Sequence, residues 1–306
     1  MTKRLNWILA VVLVMVGLPY YWLLIDNRAG DAQPKPISIA QLRQAAAALP
    51  GAAPTAVEVE LVTFRRLPGD LFAAGSGIKR RLIGVMVWRL PIPGKGPLVI
   101  DSALDAAAAK QMGMEQFKPD AWQRAVTALG EASMILITHE HADHLGGVVS
   151  QGRRDVLDRT LFNPQQLPGN RWTDLLTWPA PPLPQPAITG PAIRPVAPGV
   201  VVIPAPSHTA GSQMVYVRLA DGREYLFTGD IATLAQNWQE QRARSRLIGD
   251  WLAPEDRGEV YAWLKTIAAL KAAAPGLVVL PGHDFEWIAD PLNNTGVQSQ
   301  FMKPAD

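Results

Sequence analysis

Thr138-His139-Glu140-His141-Ala142-Asp143-His144-Leu145-Gly146-Gly147 contains three of the chain's five histidines. All five, His139, His141, His144, His208 and His283, fall where they read as metal ligands, and Asp143 and Asp230 complete the set. Histidine used for packing or capping would be scattered; here it is concentrated on one candidate site. In an extended stretch His139 and His141 point to the same side, and Asp143 and His144 follow at a strand-to-helix turn. His208, Asp230 and His283 follow three further strand-like runs, and side chains carried by strand ends can converge on one sheet edge. Seven ligands exceed the needs of one tetrahedral ion. They suit two metals about 3.5–4 Å apart, with Asp230 bridging, three histidines on one ion, and Asp143 plus two histidines on the other.

The chain has 306 residues, 48% hydrophobic and 18% charged, so it can bury a sizeable core and lies outside the disordered class. A formal net charge of +2 is too small to argue for nucleic acid, and no protein partner can be identified. With no cysteine, a disulfide framework and thiolate ligation are both excluded, and any metal site must use nitrogen and oxygen.

Lys3 and Arg4 precede Leu5 to Ile25, an uncharged run long enough to cross a bilayer as a helix, with Pro19 as a point of kinking. Tyr20, Tyr21 and Trp22 lie at its far end, where aromatic rings favour the interface. The reading is a cytoplasmic tail over residues 1–4, a transmembrane signal-anchor over 5–25, a linker over 26–54 and a folded domain over 55–306. Such a chain is single-pass in the inner membrane, its domain facing the periplasm or exterior. The alternatives are a cleaved secretory signal, which makes the protein secreted, and a buried helix.

The linker is polar, alanine-rich and punctuated by proline, with one short helix expected over 39–49. Strands are expected over 57–64, 82–90, 98–100, 134–137, 200–203, 213–219, 224–227 and 277–280. Helices are expected over 103–112, 119–129 and 254–274. Asp221-Gly222 marks a hairpin. The stretch 163–206 is dense in proline and reads as irregular loop around the strand at 200–203.

With these motifs in order, the sequence resembles the metallo-β-lactamase-fold metallo-hydrolase superfamily over roughly Val57 to Asp290. The likeness rests on the H-x-H-x-D-H run from His139 to His144, His208 in Ser-His-Thr-Ala-Gly-Ser, Asp230 in Phe-Thr-Gly-Asp and His283 in Pro-Gly-His-Asp. The resemblance implies an α/β fold, a four-layer αβ/βα sandwich. It also implies that His139, His141 and His208 hold one metal, that Asp143, His144 and His283 hold the other, and that Asp230 bridges. Asp101, ending the strand at 98–100, matches the family aspartate that orients a ligand.

The chemistry expected of such a pair is hydrolysis: two divalent ions sharing a water bring its pKa towards neutrality, giving a hydroxide nucleophile. Asp143 is the candidate catalytic residue, shuttling a proton to the leaving group. The ligand set suits zinc, though iron, manganese or cobalt can occupy the same positions. The motif pattern is closest to the lactonase and glyoxalase II-like dimetal branch. A bridging Asp230 argues against antibiotic hydrolysis, and only 23 residues follow His283, too few for the helical substrate domain of glyoxalase II-like thioesterases. Lactonases of the fold commonly carry tyrosine three residues after the bridging aspartate, where this chain has Thr233. The expected substrate is a small lactone, ester or related carbonyl compound. Phosphodiester or sulfate-ester hydrolysis, and metal binding without turnover, are the alternatives. Trp238 and Arg242 are the candidate substrate contacts, in a stretch that also reads as a solvated helix with its tryptophans in the core. Trp172 and Trp178 are candidates for an aromatic wall. Glu140 reads as solvated or structural, and Asp284 as a local hydrogen-bonding residue.

Overall fold

The computed structural model describes residues 2–301. Met1 and residues 302–306, which the expected tail and domain ranges include, lie outside the described residues. Strands β1 (Glu58–Pro68), β2 (Arg80–Leu90), β3 (Leu98–Ile100), β4 (Gln116–Phe117) and β5 (Met134–Leu136) form one sheet in the order β4-β1-β2-β3-β5. Strands β6 (Arg194–Ala197), β7 (Val200–Pro204), β8 (Gln213–Arg218), β9 (Glu224–Phe227) and β10 (Val278–Leu280) form the second, in the order β10-β9-β8-β7-β6. The helices are α1 (Lys3–Tyr20), α2 (Ile39–Ala46), α3 (Gly69–Phe72), α4 (Ala106–Gln111), α5 (Pro119–Glu131), α6 (Ala142–Ser150), α7 (Arg154–Asp158), α8 (Ala235–Gln239), α9 (Arg257–Ala273) and α10 (Phe285–Ala289).

Side chains alternate across a strand, and a strand apolar on both faces must therefore be covered twice. On β7 and β8, Val200, Val202, Val215 and Val217 enter a core shared with Leu61, Met86 and Trp88 of the first sheet. Their neighbours Val201, Ile203, Met214 and Tyr216 face the other way, against Leu42 of α2 and Leu264 and Ile267 of α9. The first sheet does likewise: Val85 and Val87 turn outward to meet Leu129 of α5, Val148 of α6 and Leu157 of α7. Two sheets thus pack face to face, with helices on both outer surfaces.

The stretch 26–54 is not a tether. Leu42 is fully buried, and Arg43 binds Glu224 of β9 through two hydrogen bonds of 2.7 Å. Asp26 is buried between Arg28 and Arg246, while Tyr261 and Ala243 both donate to Asn27 Oδ1. Alanine-rich, polar sequence disguised this because three apolar positions at helical spacing, Ile39, Leu42 and Ala46, suffice to cover a sheet. The proline-dense stretch also contributes β6, an edge strand that tolerates Pro195 and is paired on one side only.

Two helices begin later than expected for local reasons. α4 waits for Asp105, whose carboxylate caps Ala108 N, because Ala103 lies at φ +53°. α9 begins after Asp256, which caps Glu259 N. α1 has no buried residue and runs into a π-helical turn over Tyr21–Ile25.

Candidate metal centre

Two pairs of parallel neighbours aim the site. β3 lies beside β5, and β9 beside β10, so their carboxyl ends open on the same edge. Asp101 follows β3; His139 and His141 follow β5, and the chain then enters α6, whose first turns carry Asp143 and His144. Asp230 follows β9, His283 follows β10, and His208 sits in the loop between β7 and β8. Close approach is needed at two glycines. A Cβ on Gly147 would lie 2.0 Å from Ser102 O, and one on Gly282 would lie 2.5 Å from Asp230 Oδ1.

All seven predicted ligands meet. In one group His141 Nδ1 lies 3.0 Å from His139 Nε2 and 3.2 Å from His208 Nε2, with Asp230 Oδ2 3.9 and 3.7 Å from His139 and His208. In the other His144 Nε2 lies 3.2 Å from His283 Nε2, which is 3.6 Å from Asp143 Oδ2. Asp230 Oδ1 stands 3.6 Å from His144 Nε2 and 2.9 Å from His283 Nε2, so the two oxygens of Asp230 serve the two groups. A tetrahedron with zinc–nitrogen bonds of about 2.0–2.1 Å has edges of about 3.3–3.4 Å, and these separations straddle that length.

The hydrogen bonds behind the rings show that the donors fit a cation. His283 Nδ1 donates to Gly84 O at 2.6 Å and His144 Nδ1 to Asp101 Oδ2 at 2.8 Å. A carbonyl and a carboxylate only accept, so each Nδ1 carries a proton and Nε2 is the atom left to face a cation. His208 Nδ1 faces Glu255 Oε2 at 2.9 Å in the same way. Asp230 Oδ1 is buried without a hydrogen bond, and lone pairs converging on such an oxygen call for a positive charge between them.

Electrostatics agree for the first group. Burial, reinforced by the neighbouring histidines, holds His139 well below the usual histidine value; burial, reinforced by Arg244, does the same for His208, and burial brings His141 down to about 4. These rings are neutral, the form that binds metal. Burial also pulls on His144, but the carboxylates of Asp101, Asp143 and Asp230 outweigh it and push the ring up to about 9 in the protein alone. Burial lifts Glu255 to about 7.

Asp101 accepts from Thr138 N at 2.7 Å and from the Thr138 hydroxyl besides His144, holding a positive φ of 59° at the end of β3. Asp143 is not the N-cap of α6, a place taken by His141. Glu140 is buried rather than solvated, and its carboxylate accepts from Thr209 Oγ1 and Gly211 N. Asp284 accepts from Ala235 N and Trp287 N, a local role.

The expected substrate contacts are corrected. Trp238 is buried among the side chains between the second sheet and α9, edge-on to Trp287. Arg242 binds Glu240 and Ala74 O away from the ligands. The arginine that reaches the centre is Arg244, buried, with Nη2 2.5 Å from Asp230 Oδ2 and both Nε and Nη2 on the Thr233 hydroxyl. Three arginines alternate at 242, 244 and 246, and no sequence signal separates the one that points inward. Glu255 was missed too, being one more carboxylate near a helix start. Of the proposed aromatic wall, Trp172 stands edge-on to His141 with ring centres 4.3 Å apart, whereas Trp178 packs on Phe162.

Four of the seven residues line the floor of a cavity of about 390 Å³. His141, Asp143, Asp230, Arg244 and His283 face it from below, and the walls are mostly apolar, among them Phe72, Val85, Met112, Met114, Ile248 and Leu252.

No protein-family model and no curated protein matches the chain. Solved structures do match. A quorum-quenching N-acyl homoserine lactone lactonase superposes with a TM-score of 0.61 at 16% identity, over 79% of this chain and 96% of its own. An N-acyl homoserine lactone hydrolase, solved with the product N-hexanoyl-L-homoserine at its catalytic metal centre, gives 0.59 at 17% identity, over 76% and 95%. A probable metal-dependent hydrolase from Staphylococcus aureus gives 0.52 at 11% identity, over 77% and 91%. The chain has the metallo-β-lactamase fold.

Proposed function

We propose that this metallo-β-lactamase-fold chain is a membrane-anchored, dinuclear-metal hydrolase acting on a lactone, ester or related carbonyl compound with an apolar portion. The observation that carries this reading is the convergence of five histidines and two carboxylates beneath a largely apolar cavity, four of them, His141, Asp143, Asp230 and His283, on its lining. His139, His141 and His208 would hold one cation and Asp143, His144 and His283 the other, with one oxygen of Asp230 for each; zinc suits the set. When bound, such a pair supplies an acidified water and Lewis acidity towards a carbonyl.

The remaining work falls to the chain. Asp143, with one oxygen turned to His283, faces the cavity and can carry a proton to the departing alcohol. Arg244, on the cavity floor, clamps Asp230 and fixes the carboxylate plane between the two groups. Thr233 spends its hydroxyl on that arginine, so the lactonase tyrosine has no counterpart at this position, and selection of the substrate falls to the apolar walls. Those walls, apolar apart from Arg65, suit an acyl group.

The helix supports the anchored reading. Lys3–Ile25 spans 23 residues, and its apolar 18-residue window has a mean hydropathy of 2.4 with nothing buried. At about 1.5 Å per residue it is long enough for a hydrocarbon core of about 30 Å. With Lys3 and Arg4 kept in the cytoplasm, the domain faces outward.

Metal analysis of the purified full chain, with a panel of chromogenic lactone, ester, thioester, phosphodiester and sulfate-ester substrates, tests the proposal. Two metals per chain and turnover of a carbonyl substrate that a chelator abolishes are expected. Asp143→Ala should lower kcat about 100-fold or more. Undiminished turnover in that variant overturns its role, and no turnover on any carbonyl substrate overturns the function.

A further inference from the structure

Among the described residues, the exposed large apolar side chains outside α1 and its π-turn are few: Leu49, Ile78, Leu175, Trp251, Leu252 and Leu292. Leu175 and Leu252 are 74% and 67% exposed and both line the cavity, so they form its outer rim. Trp251, 72% exposed, adjoins Leu252 in the π-helical turn Leu247–Leu252.

That same turn is tied to the end of the apolar helix. Arg246, just before it, stacks over Trp22 at 4.0 Å and binds Asp26 at 3.0 Å. On the other side Tyr20 donates to Asp70 of α3, Gly75 N donates to Leu24 O, and Asp70 accepts from the backbone of Gly77, next to exposed Ile78. Phe72 of α3 is a cavity wall. The aromatic residues that mark the end of a membrane helix therefore dock on the two segments that build one side of the cavity mouth. The acid within the turn, Asp250, is paired with Arg246 at 3.0 Å, so no free carboxylate opposes contact with a lipid surface there.

We infer that the cavity is loaded from the membrane: Trp251, Leu252, Leu175 and Ile78 sit in the lipid interface, and the substrate is an acyl amphiphile that enters from the bilayer. The chemistry follows from depth. Tyr20 to Trp22 belong at headgroup level, and their contacts bring the rim to the same level. A substrate dissolved in the leaflet then slides its acyl chain along the apolar rim without crossing water, while its carbonyl reaches the polar floor. This rests on the anchored-hydrolase reading, and it narrows the substrate to one held by lipid.

The absence of native cysteine makes the test clean. Trp251→Cys, Ile78→Cys and Asp221→Cys, each in the full chain, are labelled with an environment-sensitive fluorophore. The labelled proteins are then placed in phosphatidylethanolamine–phosphatidylglycerol vesicles carrying a nitroxide lipid. Quenching at positions 251 and 78 but not at Asp221, in the hairpin at the opposite end of β8 and β9, is expected. Equal quenching at 251 and 221 overturns the inference. In parallel, Trp251→Lys should lower hydrolysis of a long-chain ester in vesicles about tenfold, while a short soluble ester is hydrolysed within about twofold of wild type. An equal loss on both substrates also overturns it. Absence of turnover on every substrate refutes the hydrolase instead, and the quenching still decides where the rim lies.

Discussion

Replacing Asp101 with asparagine exchanges one oxygen for an amide nitrogen and leaves the shape intact. Asp101 accepts from Thr138 N at 2.7 Å, from Thr138 Oγ1 at 2.8 Å and from His144 Nδ1 at 2.8 Å. Asparagine can keep its oxygen on Thr138 N, but its amide then meets the Nδ1–H of His144, donor against donor. The conflict eases if His144 moves its proton to Nε2, and that removes the lone pair facing His283. Loss of such a supporting acceptor costs about 10–100-fold in metal affinity, or about 1.4–2.7 kcal/mol. His139, His141 and His208 make no contact with Asp101 through a proton they need, so their group should keep its affinity within about threefold. The assay is a zinc titration of the metal-free full chain against a chelating dye. The step weakened in Asp101→Asn should be the one that Asp143→Ala removes. No weakening, or equal weakening of both steps, refutes the claim that Asp101 acts through the tautomer of His144.

Other consequences are equally direct. Leu42→Ala in α2 leaves a hole against the second sheet and should cost about 2.7–5 kcal/mol, lowering Tm by roughly 5–20 °C, whereas a tether would lose nothing. Gly282→Ala forces a methyl against Asp230 Oδ1 and the backbone of Gly229, so metal binding should fail before the fold does, and full metal content at wild-type affinity contradicts the packing. Hydrogen bonding from Arg43 holds the Glu224 carboxyl below the ordinary 4.5 despite the opposing pull of burial. A depressed native pKa stabilises the fold above that ordinary value and is lost as pH falls through the native one. Glu224→Gln should therefore melt below wild type at neutral pH, with the gap closing as the pH falls below the ordinary glutamate range; a gap unchanged by acid rules the pair out as its source.

The strands were legible where apolar runs were continuous. The spans 98–100 and 224–227 match the expected ones residue for residue, because both are buried on two faces and bounded by turns. Helix starts were less so, since a cap such as Asp105 or Asp256 competes with residues just upstream whose propensity is equally helical. α2 was recognised as a helix and misjudged as a spacer, for burial depends on what lies opposite. The cavity lining was less legible: Trp172 stands beside His141 as its sequence context suggests, but Arg244 rather than Arg242 reaches the ligand cluster, because alternating arginines look alike until the backbone turns one inward.

The sequence by itself determined the donor chemistry. Five histidines, two placed aspartates and no cysteine leave nitrogen and oxygen as the only ligands, and spacing alone makes His139, His141, Asp143 and His144 local neighbours. Tertiary structure decided everything that depends on separation through space. It brought His208, Asp230 and His283 to the cluster begun by His139, His141, Asp143 and His144, set Glu255 and Arg244 against them, and placed the exposed rim beside the apolar helix. Local pattern records which face a residue presents, but which faces meet follows only from how two sheets and their helices close around a shared core.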